Sequence, residues 1–312
     1  MFLIIVALCA FATQASAKEP PPEPARSVIP PPATSGVLIR NIYKSREKQE
    51  FWLRENRMSY LAAAGRKDFG DRTSLAIGRD STNDLRLDDV EVQPHHLRVT
   101  VVGDSFRLEA VDEKALFKLE GGFDHLRNAT LGPSGILVGR FLLRLSHQNH
   151  PGIIVFDPQS PRLHEYRGLK HYAPDLSYRY VLPLTPDPKP DTVMVQSSRG
   201  TPRPALRMGW FDFMVGRTRC RLEAVRLLEP GVDENTLGVY FRDATNGKET
   251  YSMGRYVDPK PVPGEPNRYT LDFNMAYNPA CAFSEFFNCP LPSNANQLKV
   301  ALPAGEKDSH YH

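Results

Sequence analysis

LRVTVVGDSFRLEA, residues 97–110, decides the fold class. Leu97, Val99 and Val101 alternate with Arg98, Thr100 and Val102, and Phe106, Leu108 and Ala110 repeat the pattern. A period of two puts each set on one face of a strand, and Gly103-Asp104 between the runs is a tight-hairpin signal. The spacing therefore predicts two antiparallel strands sharing one buried face. Outward from this hairpin, Ile136, Val138 and the run Phe141 to Leu145 predict another pair, so the region from Ser74 to about Ser146 reads as short strands. Thr192–Gln196, Met208–Phe213, Cys220–Leu227 and Leu237–Phe241 continue the pattern, and Asn246-Gly247 marks a further hairpin tip within Asp243–Thr250. The 28 prolines and 21 glycines among 312 residues suit many turns and short strands better than helical bundles. The expected class is mainly β: an N-terminal helix, a β-sandwich-like first half and a second antiparallel β domain.

The N-terminus reads differently. Phe2 to Ala12 is an apolar run followed by the small-residue cleavage pattern Ala15-Ser16-Ala17, although no Lys or Arg precedes it. The expectation is a signal peptide over residues 1–17, cleaved after Ala17, and a secreted or periplasmic product. The run is too short to span a bilayer and no later stretch is apolar enough, so no membrane span is expected in the mature chain. KEPPPEPARSVIPPPAT, residues 18–34, carries seven prolines and predicts an extended tether over 18–35. Ser45 as N-cap, Phe51, Met58, Leu61 and Ala62 at helical spacing, and Gly65 as a stop predict a helix from Ser45 to Ala64. The expected organisation is 1–17 signal, 18–35 tether, 36–150 helix plus first β domain, 151–307 second β domain and 308–312 a disordered tail. A formal net charge of +3 argues against a nucleic-acid partner.

Two resemblances follow from longer motifs. FRDATNGKETYSMGRYVD (241–258) and YTLDFNMAYNPACAFSEFFNCPLPSNANQLKVALPAGEK (269–307) resemble the domain of unknown function 1684 family. The shared order is F-x-D-x-T-x-G, T-Y-x-x-G-R-Y, D-F-N-x-A-Y-N-P-x-C-A-F, then C-P-L-P, an Asn two residues before a Leu, and A-G-E-K. The match extends upstream through Tyr166-Arg167-Gly168-Leu169. That resemblance implies an exported or cytoplasmic β-rich protein and carries no activity. IGRDSTNDLRLDDVEVQPHHLRVTV (77–101) resembles a forkhead-associated phosphothreonine-binding module: Gly78-Arg79 fits its phosphate-contacting pair, Asn83-Asp84-Leu85 its strand entry, and His96 its structural histidine. Gln93 stands where that module has a phosphate-binding Ser, and no Asn-Gly loop follows, so the resemblance implies the shape without the activity. Arg79 is then expected to pair with a nearby carboxylate such as Asp84.

The candidate ligand-binding residues are Arg255, Tyr256, Asp272, Asn274, Tyr277 and Asn278. Asp272 and Asn274, two apart on a predicted strand, share a face, and Arg255 faces them if the two strands form a hairpin. Such a cluster makes a polar pocket for a small hydrogen-bonding molecule. The alternative is an Arg255–Asp272 ion pair with Asn274 and Asn278 capping turns. Export would leave Cys220, Cys281 and Cys289. The pair Cys281/Cys289 is a candidate disulfide, worth roughly 2.5 kcal/mol in the chain-entropy model, and Cys220 a buried thiol. A second reading is a hydrolase using Asp272 or Cys281, with His96 or His171 brought close by the fold. A third, weaker reading is a metal held by Cys281, Cys289 and a His. No zinc signature fits His147, His150 and Asp157, and neither a phosphate-binding loop nor a dinucleotide-binding glycine pattern occurs, so no metal site and no cofactor is expected. The leading expectation is an exported, non-enzymatic binding or scaffold module whose partner is a small molecule or a protein.

Overall fold

The computed structural model describes residues 24–311; the expected signal peptide and the first part of the tether lie outside the described residues. It is mainly β, as the alternation of residues 97–110 requires. Leu97–Val102 and Ser105–Ala110 form the expected hairpin, with Val99 opposite Leu108 and Gly103 in the left-handed region at its tip. Three further strands, Leu85–Arg86, Ser74–Gly78 and Asn128–Leu131, complete a five-stranded sheet. A second five-stranded sheet contains Ala63–Asp68, Pro151–Phe156, Phe141–His147, Gly135–Val138 and Lys118–Leu119. The two sheets close on one core. Leu75, Ile77, Leu97, Val99, Phe106 and Leu108 meet Ile136, Val138, Leu143, Leu145, Ile153 and Val155 there. Pro151–Phe156 pairs inside this sandwich, on the far side of the division expected at residue 150.

The second half is built on a long hairpin, Arg203–Val215 with Thr218–Leu227, turning at Gly216. Thr185–Pro186 and Thr192–Val195 lie along its other edge. Arg268–Asp272 pairs with Arg179–Pro183 and Lys260–Pro261, and Val239–Phe241 pairs with Arg255–Val257. The expected Asn246-Gly247 turn is the tip of the connection within that last pair, with Gly247 at φ 73°. Phe211, Phe213, Phe241 and Phe273 are fully buried and fill a separate core with Leu222, Val239 and Leu302.

The helix departs from expectation. Helix α1 runs Pro32–Glu55, and Pro32 sits in its first turn, where a missing N–H costs no hydrogen bond. Ser35 Oγ donates to the Pro30 carbonyl, so the end of the expected tether becomes the helix start. At the other end Asn56 adopts extended backbone, its N–H donating to Trp52 O at 3.0 Å. Met58, Leu61 and Ala62 lie beyond the helix; the last two belong to a short 3-10 turn, Tyr60–Ala62, capped by the Ser59 hydroxyl. Their helical spacing came from the burial of a turn and a strand start. Phe51, expected on the apolar face, is 69% exposed, and the buried residues of α1 are Ile42 and Leu53.

The tether and tail are also tied down. Ala25 donates to Asp212 O at 3.2 Å and accepts from Met214 N at 2.9 Å, extending the edge of the long hairpin. Residues 308–311 are held through Tyr311, whose hydroxyl donates to Gly168 O at 2.7 Å and whose ring stacks on Phe283. Among the described residues no helix is long and apolar enough to cross a membrane.

Candidate functional site

Helix α1 packs across the second half of the chain and roofs a cavity of about 660 Å³. Its lining residues Leu38, Ile42, Ser45, Arg46, Gln49, Trp52 and Leu53 recur at helical spacing, so one stripe of the helix forms one wall. The opposite wall is the signature segment: Asp272, Asn274, Tyr277 and Asn278 all line it. Four of the six expected ligand-binding residues are therefore brought together. Arg255 and Tyr256 are not among the lining residues.

Arg255 fails to reach Asp272 because the strand carrying it pairs with Val239–Phe241, whereas Asp272 ends a strand paired with Arg179–Pro183. Arg255 is fully buried. Its Nη2 donates to Asp243 Oδ2 at 2.6 Å and to Leu302 O at 3.0 Å, and its Nη1 donates to the carbonyls of Ala304 and Glu306. Asp243 is anchored in turn by the N–H and hydroxyl of Thr245 at 2.7 and 2.6 Å. Arg255 is thus a structural cation that fastens the Ala304–Glu306 loop. The Tyr256 ring packs against Tyr240 and Tyr277, and its hydroxyl donates to Pro290 O.

Asp272 and Asn274 are not side by side on a strand. Asp272 caps a 3-10 turn, Phe273–Met275, its Oδ1 accepting from Asn274 N at 3.0 Å and Asn274 Nδ2 at 2.9 Å. The Asn274 amide then clasps the Asp175 backbone, accepting from its N–H and donating to its carbonyl, both at 2.8 Å. Burial raises the Asp272 carboxyl above its ordinary value, opposed by the hydrogen bonds from Asn274 and by Arg179, whose Nε lies 3.7 Å away. Tyr277 donates its hydroxyl to Asp258 Oδ1 at 3.1 Å.

Behind the cavity wall sits Glu306, which has no exposed surface. Oε1 accepts from Asn278 Nδ2 at 2.8 Å; Oε2 accepts from Asn278 N at 3.2 Å and from Gln49 Nε2 at 3.0 Å. Burial pushes this carboxyl up to about 7, against the pull of those N–H donors. Gly305 at φ 81° makes the turn possible, since a Cβ there would lie 2.6 Å from the carbonyl oxygens of Ala276 and Phe273. His171 also lines the cavity, and burial with the nearby Arg46 charge lowers it to about 4, leaving it neutral at pH 7. Among the cavity's polar groups two atoms stand out: Arg46 Nε and Asn278 Oδ1 are buried and have no hydrogen-bond partner. Arg46 and Gln49 fall inside the helix expected from Ser45 but were not among the expected site residues, because Leu38 and Ile42, which complete the stripe, lay before that start. The Leu38, Ile42, Ser45, Gln49 spacing was the available signal.

The other expected residues lie elsewhere. His96 is locked in the first half between Gln93 N at 3.0 Å and Leu116 O at 2.9 Å, a structural position far in the chain from Asp272 or Cys281. Arg79 does not pair with Asp84, which is bound by Arg72; Arg79 is exposed and forms no ion pair among the described residues. Cys220 is buried, as expected. Cys281 and Cys289 are adjacent but free, so the expected disulfide is not formed; Cys281 N–H donates to Cys289 Sγ at 3.1 Å. The metal reading lacks a third ligand: among the described residues no group of three or more His, Cys, Asp or Glu gathers.

Residues 164–307 match the model of a family described as protein of unknown function (DUF1684), and residues 75–122 match the FHA domain. The solution NMR structure of an uncharacterized protein of Haloarcula marismortui is 32% identical, covering 50% of this chain and 83% of that chain with a TM-score of 0.39. The structure of Mycobacterium tuberculosis EmbR in complex with low affinity phosphopeptide is 14% identical, covering 40% of this chain and 31% of that chain with a TM-score of 0.20. No curated protein matches the chain.

Proposed function

We propose, from the premise that the chain belongs to the DUF1684 family and carries an FHA domain ahead of it, that its family half is a non-enzymatic module binding a small molecule under helix α1. One observation carries this reading: Arg46 of the helix wall and Asn278 of the signature wall line the same cavity, and each keeps a buried side-chain atom, Arg46 Nε and Asn278 Oδ1, without a hydrogen-bond partner. An unsatisfied buried polar group costs about 1–3 kcal/mol, and a ligand offering an acceptor to one and a donor to the other recovers that cost. The other lining cations lie near carboxylates, Arg179 by Asp272 at 3.7 Å and Lys260 by Asp258 at 4.0 Å. Arg46 instead donates to the carbonyls of Tyr172 and Asn274 and forms no ion pair among the described residues, the Asp272 carboxylate acting on it only from beyond contact distance. The ligand's acceptor is therefore best an anionic oxygen. Leu38, Ile42, Trp52 and Tyr60 line the remainder and suit an apolar body. In a thermal-shift screen of small hydroxy and amino acids with apolar side groups, wild type gives a stabilising hit. Arg46→Ala and Asn278→Ala each weaken it by about tenfold or more. A hit unaffected by both substitutions, or none across the screen, overturns the reading.

The first half supports a scaffold role toward a protein partner. Arg79 presents an exposed cation beside Gln93, whose carbonyl accepts from Arg79 N at 3.0 Å. The Gln93 amide replaces the hydroxyl that a phosphothreonine reader uses. Phosphorylating a threonine peptide is expected to change its affinity by less than about threefold. Fluorescence anisotropy checks this: a gain of about tenfold or more that Arg79→Ala abolishes would instead make the half a phosphothreonine reader.

A further inference from the structure

A second cavity, of about 520 Å³, lies away from the one under α1 and is lined by Ser198, Arg199, Tyr251, Cys281 and Glu285 among others. Ser198, Arg199 and Glu285 are exposed, so the groove opens to solvent, and Cys281 lies along it. Cys289 is equally buried but is not among the groove's lining residues. Its sulfur accepts the Cys281 backbone N–H at 3.1 Å, and its own N–H donates to Ser198 Oγ at 3.0 Å. The two thiols are thus ordered as one facing a groove and one immediately behind it.

We propose that Cys281 and Cys289 are a thiol–disulfide exchange site for low-molecular-weight disulfides, with Cys281 the attacking and Cys289 the resolving sulfur. Hydrogen bonds from the Cys289 thiol lower the Cys281 thiol, against the opposing effect of burial, with help from Tyr251 and Ser198. Cys289 is raised by burial and by its neighbour. The thiolate is the nucleophile in such exchange, which gives the sulfur in the groove the first step. Cys281 gives up its proton and attacks one sulfur of R–S–S–R. The S–S bond breaks, a mixed disulfide forms on Cys281, and the departing R–S⁻ takes up the proton. Cys289 then attacks the Cys281 sulfur, forming the protein disulfide and releasing the second R–S⁻, which takes up the Cys289 proton. Two protein thiols are oxidised by two electrons while the small disulfide is reduced to two thiols. Exposed Glu285 at the groove offers a carboxylate to the amino group of a zwitterionic disulfide, while Arg199 beside it is paired with Asp68 at 3.2 Å.

The test treats the folded full chain with millimolar oxidised glutathione, then quenches in acid, denatures, alkylates and maps the cysteines by mass. Wild type is expected to lose two hydrogens and the alkylation of Cys281 and Cys289. Cys289→Ser stops at one glutathione on Cys281, and Cys281→Ser reacts at position 289 about tenfold more slowly or not at all. If Cys289→Ser does not fold, early time points of wild type show the same adduct on Cys281. The proposal is overturned if both cysteines of wild type stay alkylatable, if the adduct persists unresolved, or if Cys289 reacts as fast as Cys281.

Discussion

Arg255→Ala lowers the free energy of unfolding by about 3–5 kcal/mol, the largest single-residue loss expected in this chain. Both side chains of the Arg255–Asp243 pair have no exposed surface and lie 2.6 Å apart. Removing the cation leaves Asp243 ionised inside the core, where neither water nor another cation replaces it. It also frees the carbonyls of Leu302, Ala304 and Glu306, which Arg255 gathers from the loop behind the cavity. The loss therefore spreads to Glu306 and to Asn278, which Glu306 holds. Chemical denaturation monitored by circular dichroism checks the magnitude. Arg255→Lys, keeping the charge but not the fork of donors, falls between the two. A change below about 1 kcal/mol for Arg255→Ala would show that the pair is not buried as described.

The second large effect depends on pH. The Glu306 carboxyl sits at about 7 in the folded chain against an ordinary value of 4.5, raised chiefly by burial. The folded state therefore holds the proton more tightly than the unfolded one. The associated stability is fully present below pH 4.5 and is lost as pH rises toward and through about 7. The shift corresponds to about 3 kcal/mol over that window. His171 has the opposite sign: its folded value of about 4 against 6.5 removes stability as pH falls through that interval. The two slopes oppose each other between pH 4.5 and 6.5, so the wild-type curve alone hides both. The difference between wild type and Glu306→Gln isolates the carboxyl. Wild type becomes less stable than Glu306→Gln by about 3 kcal/mol more at pH 8 than at pH 4.5, whatever the constant offset between them. Denaturation midpoints across that range check it, and a pH-independent difference contradicts it.

Much of the architecture was legible because strands announce themselves locally. The alternation at 97–110 needs only a buried and an exposed face, and the Gly103 and Gly247 turns need only a positive φ. Helix α1 was misplaced for the opposite reason. Its burial is set by a surface distant in sequence, so its ends follow Pro32 and Asn56 rather than the apolar residues Leu61 and Ala62, which serve a turn. Four signature residues were found at one cavity since they are close along the chain. Arg255 was assigned to the wrong carboxylate because strand pairing decides its neighbour: Asp243 lies across the turn of its own hairpin, Asp272 in another sheet. Arg46 and Gln49 carry no local mark of function. Only the packing of the helix on Asn274 and Glu306 gives them one.

Trp52 lies on the cavity wall, which makes ligand entry directly visible. The decisive measurement is a titration of Trp52 emission, in a Trp210→Phe background, with the strongest hit of the thermal-shift screen. A saturating change is expected, with a dissociation constant raised about tenfold or more by Arg46→Ala and again by Asn278→Ala. A silent Trp52 with a bound hit, or an affinity that neither substitution moves by more than about twofold, would place the ligand elsewhere and contradict the cavity as the binding site.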